Sequence, residues 1–140
     1  MKVLVDTSIW SLALRKGSLN ENEIKLIEEF KELIKEMRVE IIGPIRQELL
    51  SGIRNEKTYD ELKNKLRVFE DLIVSQNEYE KAAELFNVCR KNGIQGSHID
   101  FLICAVAINN NITIFTNDKD FNNYKNLINI RLHEIRKKEK

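Results

Sequence analysis

The chain has one proline, five glycines and two cysteines in 140 residues, and each scarcity closes off a class of protein. With so few residues that break regular structure, there is no proline- or glycine-rich linker and no low-complexity stretch. That predicts a single domain over 1–140 rather than modules on a tether. Cys89 and Cys104 form no CxxC pair and stand among apolar residues, Cys104 within Leu102-Ile103-Cys104-Ala105-Val106. They read as small buried hydrophobes in a reducing compartment, not as a disulfide framework. Zinc is disfavoured, because the only other soft ligands are His98 and His133. No apolar run approaches the roughly 18 residues that a membrane span requires. Lys2-Val3-Leu4-Val5 leads straight into a strand without a signal-peptide layout, so a cytoplasmic location is expected. Net charge is +1, which neither demands nor forbids an anionic partner. The local surplus at Arg136-Lys137-Lys138-Glu139-Lys140 reads as a solvated basic tail.

What is present alternates between strand and helix. Residues 2–6 predict a buried strand, followed by a helix from Ser8 to Lys16 that breaks at Gly17-Ser18. Asn20 or Asn22 can cap a long amphipathic helix with Ile24, Ile27, Phe30, Leu33, Ile34 and Met37 on one face. Val39–Ile42 predicts a second strand, and Pro44 occupies the tolerated first position of a following helix. Residues 58–70 predict another helix, 72–74 a short strand, and 78–92 a helix stopped by Gly93. Ser97 caps the next helix, with Asp100 three residues on as a near capping box. That helix is apolar on nearly every side from Ile99 to Ile108 and should be central. Strands are expected at 112–116 and 128–133, with a short helix or turn at 119–125. Strands separated by helices imply right-handed crossovers and a parallel sheet. The expectation is a three-layer α/β/α domain with a central parallel sheet of four or five strands.

Among 22 acids, a few fall where a solvated charge is not expected. Asp6 ends the apolar run Val3-Leu4-Val5; Asp118 and Asp120 follow Ile112–Phe115; Glu48 and Asp100 sit inside apolar helical segments. In an open parallel sheet the carboxyl ends of the strands line the ligand crevice. Carboxylates gathered there repel one another unless protons or a cation neutralise them. A divalent metal is the simplest neutraliser, and it points to phosphodiester chemistry. Each acid also has a plainer reading. Asp6 suits a helix cap, Asp100 the positive end of a helix dipole, Asn117-Asp118 a turn, and Glu48 an exposed helical face. Thr7 or Ser8 can steady the Asp6 carboxylate, as groups behind a metal ligand do, and Thr116 can hydrogen-bond to substrate or to an acid. Arg46 can pair with Glu48 or reach a phosphate. Arg15, Lys16 and Lys119 are further phosphate candidates, Trp10 a candidate for base stacking, and His98 for acid–base work; each is more often structural or surface.

Four segments in order then carry a resemblance. Val-Asp-Thr-Ser-Ile-Trp at 5–10, Pro-Ile-Arg-Gln-Glu-Leu-Leu-Ser-Gly at 44–52, His-Ile-Asp-Phe-Leu-Ile-Cys-Ala-Val-Ala at 98–107 and Thr-Asn-Asp-Lys-Asp-Phe at 116–121 resemble the motif blocks of PIN-domain ribonucleases. The small size and the Gln-Glu-Leu-Leu-Ser-Gly block resemble the VapC-type toxins of toxin–antitoxin pairs. The resemblance implies Asp6, Glu48, Asp100 and Asp118 as catalytic acids, with Asp6, Asp100, Asp118 and Asp120 holding one or two Mg²⁺ or Mn²⁺ ions. It further implies hydrolysis of RNA to 5′-phosphate and 3′-hydroxyl ends, a homodimer, and a cognate antitoxin that inserts a segment into the acidic groove. Two rivals come from other classes. One is a non-catalytic RNA-binding or interaction module whose acids merely cap helices. The other is an aspartyl-nucleophile phosphatase, which needs a second Asp two residues after Asp6, where Ser8 stands. DNA flap nucleases share the PIN architecture but need length that this chain lacks.

Overall fold

The computed structural model describes residues 1–137; the last three residues of the basic tail expected at 136–140 lie outside them. Strand β1 (Val3–Val5) is buried throughout, as a strand covered on both faces must be. Helix α1 (Thr7–Leu14) follows at once, with Asp6 as its N-cap. Helix α2 (Glu21–Lys35) begins at Asn20, whose side chain accepts from Glu23 N at 2.8 Å while Glu23 Oε1 accepts from Asn20 N at 3.0 Å. Strand β2 (Val39–Ile42) runs directly into α3 (Gly43–Leu50), started by Pro44. Then come α4 (Glu56–Leu66), the two-residue strand β3 (Asp71–Leu72) and α5 (Gln76–Lys91). Helix α6 (His98–Asn110) is capped by Ser97 and ended by Asn111 in the left-handed conformation, φ 53°. Strand β4 (Thr113–Phe115) and α7 (Asp120–Lys125) complete the regular elements among the described residues.

The sheet has four parallel strands in the order β3-β2-β1-β4. The register pairs Val5 with Phe115 and Leu4 with Glu40. Right-handed crossovers between parallel strands put α1 to α4 over one face of the sheet, because β1, β2 and β3 advance in one direction. They put α5 and α6 over the other, because the chain returns past β1 to reach β4. The packing agrees, with α1 against α2 and α3, and α5 against α6. Every residue of α6 from Phe101 to Ala107 is buried, so the helix predicted to be central is central.

Two expectations change. Residues 128–133 form only an isolated parallel bridge, Leu132 to Ile114. His133 N still donates to Ile114 O at 2.7 Å, and the His133 and Arg136 side chains reach the Glu29 carboxylate on α2. On α2 the expected stripe holds at Phe30 and Leu33, with Ile27 packed against the core, but the buried face also takes in Leu26 and Glu29 and leaves out Ile24, Ile34 and Met37. Those three are exposed, Met37 at 79%, and Met37 lies beyond the helix in a left-handed turn, φ 57°. Leu26, Phe30 and Leu33 stand at i, i+4 and i+7, a narrower stripe than the sequence offers. Both cysteines are free and buried, as expected.

Candidate active site

Strand order reverses between β1 and β4, since the chain moves outward from β1 through β2 to β3 and comes back on the far side. At such a switch point the loops leaving the two strands part to opposite faces and open a crevice at their carboxyl ends. Asp6 leaves β1 there and Thr116 to Asp118 leave β4. Asp6 N donates to Phe115 O at 2.9 Å, which ties the two exits together. Helix α6 runs back against the strands, so Ser97 and Asp100 at its start return to the same edge.

The Asp6 side chain is only 5% exposed, and its hydrogen bonds converge on Oδ2. Ser8 Oγ donates at 2.8 Å, Thr116 Oγ1 at 2.7 Å and Ser8 N at 3.4 Å. Each hydroxyl in turn accepts a backbone amide from the β4 exit loop: Asn117 N to Ser8 Oγ at 2.8 Å, and Asp118 N to Thr116 Oγ1 at 2.9 Å. The two side chains therefore relay the loop's N–H groups to the carboxylate. The helix-cap reading of Asp6 is true, and it leaves the residue facing the crevice.

Asp100, Asp118 and Asp120 each offer a carboxylate oxygen within 4.8 Å of the others. Asp100 N donates to Ser97 Oγ at 3.0 Å, and Asp100 Oδ2 accepts from Tyr124 Oη at 2.7 Å. Asp118 Oδ1 accepts from Asp120 N at 2.9 Å, which makes the expected turn and orients the acid at once. Burial pushes the Asp100 carboxyl above its ordinary range; hydrogen bonds from Tyr124 and Ser97 pull it back, and the charges of Asp6 and Asp118 push it up again. The same cluster holds the Tyr124 phenol well above its usual value, burial first and the Asp100 hydrogen bond second. Among the described residues, no lysine, arginine or histidine ion-pairs with any of these four acids. Hard oxygen donors in surplus, without a protein counter-charge, suit Mg²⁺ or Mn²⁺.

Other candidates lie elsewhere. Glu48 is exposed on α3 and lines a groove of about 590 Å³ with Ser11, Lys16, Leu49, Ile53 and Lys65. It is not one of the three acids whose carboxylates meet within 4.8 Å. Arg46 neither pairs with Glu48 nor reaches towards the acids. It donates to Asp71 Oδ1 at 3.0 Å, to Leu66 O at 2.9 Å and to Phe69 O, fastening the end of α4 to β3. Ser8 steadies Asp6, whereas Thr7 Oγ1 is buried with no hydrogen-bond partner among the described residues. Trp10 is a core residue, donating to Val5 O at 3.1 Å and edge-on to Phe30 and Phe69. His98 is exposed and stacked on Phe86. Arg15 pairs with Glu23, and Lys119 is exposed between Asp118 and Asp120. Tyr124 also reaches the cluster, and nothing in the sequence marks it, because a tyrosine in a short amphipathic helix reads as core.

The PIN domain profile matches residues 3–127. This chain belongs to the PIN domain family. PIN domains are generally nucleases. No curated protein matches the sequence. Among solved structures, this PIN domain is similar to a chain of FitAcB from Neisseria gonorrhoeae, at TM-score 0.74 and 20% identity over 94% of this chain and 96% of that one. It is similar to a chain of VapBC2 from Rickettsia felis, a complex bound to a DNA fragment from its promoter, at TM-score 0.72 and 23% identity over 95% and 98%. VapBC from Salmonella typhimurium, also DNA-bound, gives TM-score 0.71 and 16% identity over 95% and 97%. At those identities the likeness is one of fold.

Proposed function

We propose that this PIN domain is a divalent-cation-dependent endoribonuclease, the VapC-type toxin of a type II toxin–antitoxin pair acting in the cytoplasm. The observation that carries the reading is the meeting of Asp100, Asp118 and Asp120 carboxylates within 4.8 Å at the β1–β4 switch point, with Asp6 beside them and, among the described residues, no cation paired with them. Membership of a family that is generally nucleolytic supports it. No helix among the described residues is long and apolar enough to cross a membrane.

In this reading Asp6, Asp100, Asp118 and Asp120 hold one or two Mg²⁺ or Mn²⁺ ions, and Ser8 and Thr116 keep the Asp6 carboxylate turned to the crevice. A bound divalent ion supplies an acidified water for in-line attack on phosphorus and charge stabilisation for the leaving oxygen. Glu48 acts from the rim, on the groove it shares with Lys16 and Lys65, where a single RNA strand entering the crevice passes. The products carry 5′-phosphate and 3′-hydroxyl ends, with no covalent intermediate. The partners are a second copy of the chain and a cognate antitoxin, in line with the toxin–antitoxin complexes whose fold it shares.

The test is sequencing of RNA 5′ ends generated when the chain is expressed, alongside cleavage of single-stranded RNA by the purified protein with Mn²⁺. Discrete 5′-phosphate ends that vanish in Asp6→Asn and Asp100→Asn are expected. Undiminished cleavage by both variants rejects the assignment, and a wild-type protein that neither cleaves RNA nor gains stability from Mn²⁺ is a non-catalytic module with this fold.

A further inference from the structure

Tyr124 is a group at this crevice that the motif pattern leaves unassigned. Its ring is fully buried on α7, 4.8 Å from the Phe101 ring and 5.2 Å from the Phe121 ring. A buried phenol needs a partner for its hydroxyl, and this one donates to Asp100 Oδ2 at 2.7 Å. Two aromatic neighbours fix the ring, so the hydroxyl's position is set by packing and not by the acid it meets.

A second observation comes from the loop before α6. A Cβ on Gly96 would lie 2.8 Å from Tyr124 Cζ and from Phe101 Cε2, and nearer still to Tyr124 Oη. Gly96 is not among the positive-φ glycines, which are Gly17, Gly52 and Gly93. Its backbone does not demand glycine; the closeness of the phenol does. The loop lacks a side chain at the point where the hydroxyl passes on its way to Asp100.

We propose that Tyr124 is a positioning residue of the cation site, holding the Asp100 carboxylate in the orientation in which it meets Asp118 and Asp120, and that Gly96 is the position that admits it. The inference rests on the cation-site reading above. Unheld, the Asp100 carboxylate turns about its Cβ–Cγ bond to relieve repulsion from its neighbours. Held at Oδ2, it keeps one geometry, which is how outer hydrogen bonds raise a ligand's effectiveness.

The experiment is Mn²⁺ titration calorimetry on wild type, Tyr124→Phe, Gly96→Ala, the double variant and Asp100→Asn, with apo melting temperatures and RNA cleavage measured against Mn²⁺ concentration. Tyr124→Phe keeps the ring and is expected to bind Mn²⁺ about ten- to a hundredfold more weakly, with cleavage recovering at correspondingly higher Mn²⁺. Gly96→Ala is expected to weaken Mn²⁺ binding in the same direction by displacing the phenol. The double variant is expected to bind within about twofold of Tyr124→Phe, because the shared interaction is already gone. Wild-type Mn²⁺ affinity in Tyr124→Phe overturns the proposal, whatever the melting temperature does, and leaves the tyrosine a core residue. If wild type binds no Mn²⁺, or Asp100→Asn binds it equally well, the cation-site reading itself falls and this inference falls with it.

Discussion

Asp6 and Glu29 are withdrawn from water to almost the same degree, 5% and 6% exposed, and the groups that meet them differ in kind. Glu29, on the inner face of α2, accepts from His133 Nε2 at 2.6 Å and from Arg136 Nε at 2.9 Å, while Arg136 also clasps Glu36. Burial pushes the Glu29 carboxyl up, but Arg136 and His133 outweigh it and hold the group below its ordinary value. Asp6 receives hydroxyls and an amide, and its charged neighbours include Asp100. One carboxylate is closed within the protein and fastens the C-terminal segment to α2. The other belongs to a cluster that, among the described residues, has no ion pair with a protein cation. The two acids differ in whether the fold brings them a cation, whereas Glu78, buried to a similar degree, meets only Ser75 and Asn109 and closes the start of α5.

That contrast breaks most sharply by removing charge. Asp100→Asn or Asp6→Asn is expected to lower RNA cleavage about a thousandfold, as loss of several kcal/mol of transition-state stabilisation requires, while circular dichroism stays native. Equal cleavage by wild type and both variants would make the cluster a set of caps. Next in size is the response to metal. Mn²⁺ at about a hundred times its dissociation constant adds about 2.7 kcal/mol, seen as a rise in melting temperature of about 5–10 °C that EDTA reverses. The rise should persist in Glu29→Gln and vanish in Asp100→Asn.

At the closed site, Glu29→Gln is expected to reduce stability by about 1–3 kcal/mol in urea unfolding, the cost of leaving charged partners unmatched, with no change in Mn²⁺ affinity. Its pH dependence has a definite sign. Because the folded Glu29 carboxyl lies below its unfolded value of about 4.3, the unfolded chain binds the proton more readily. The stabilisation is whole above that pH and is lost as pH falls below it. Wild type should therefore lose stability faster than Glu29→Gln on acidification through this range, and parallel curves would remove Glu29 from the account. The smallest effect is expected at the rim. Glu48→Gln should leave Mn²⁺ affinity within about twofold of wild type, as for distant independent sites, while reducing turnover. An affinity loss as large as that of Asp100→Asn would bring Glu48 into the cation group after all.

Much of the architecture was legible along the chain. The buried strand at Val3–Val5 and the all-apolar helix ending at Asn111 each follow from hydrophobic period and length. The caps at Asn20 and Ser97 follow from the residues that accept from free amides. The last expected strand is a single bridge at Leu132, and the residues after it, His133 and Arg136, meet Glu29 on a helix more than a hundred residues earlier in the chain, a partner that no local pattern marks. On α2 the apolar stripe is legible at Phe30 and Leu33 but not at its edges, because Ile24 and Ile34 are as hydrophobic as the buried Leu26 and only docking decides which are covered. Arg46 gave no sign of its use as a clasp on Leu66, Phe69 and Asp71, since backbone carbonyls leave no mark in a sequence.

The sequence by itself determined the alternation of strand and helix, the parallel sheet it requires, and the acids placed where a solvated charge is out of keeping, because hydrophobic period, caps and strand ends are local. The tertiary structure alone decided which acids meet. The reversal of strand order beside β1 joins Asp6 to the exit of β4, and α6 returns Asp100 to the same edge. Tyr124 and Gly96 belong to that second kind of knowledge, since a phenol's partner and a missing Cβ acquire meaning only when two distant segments pack at contact distance.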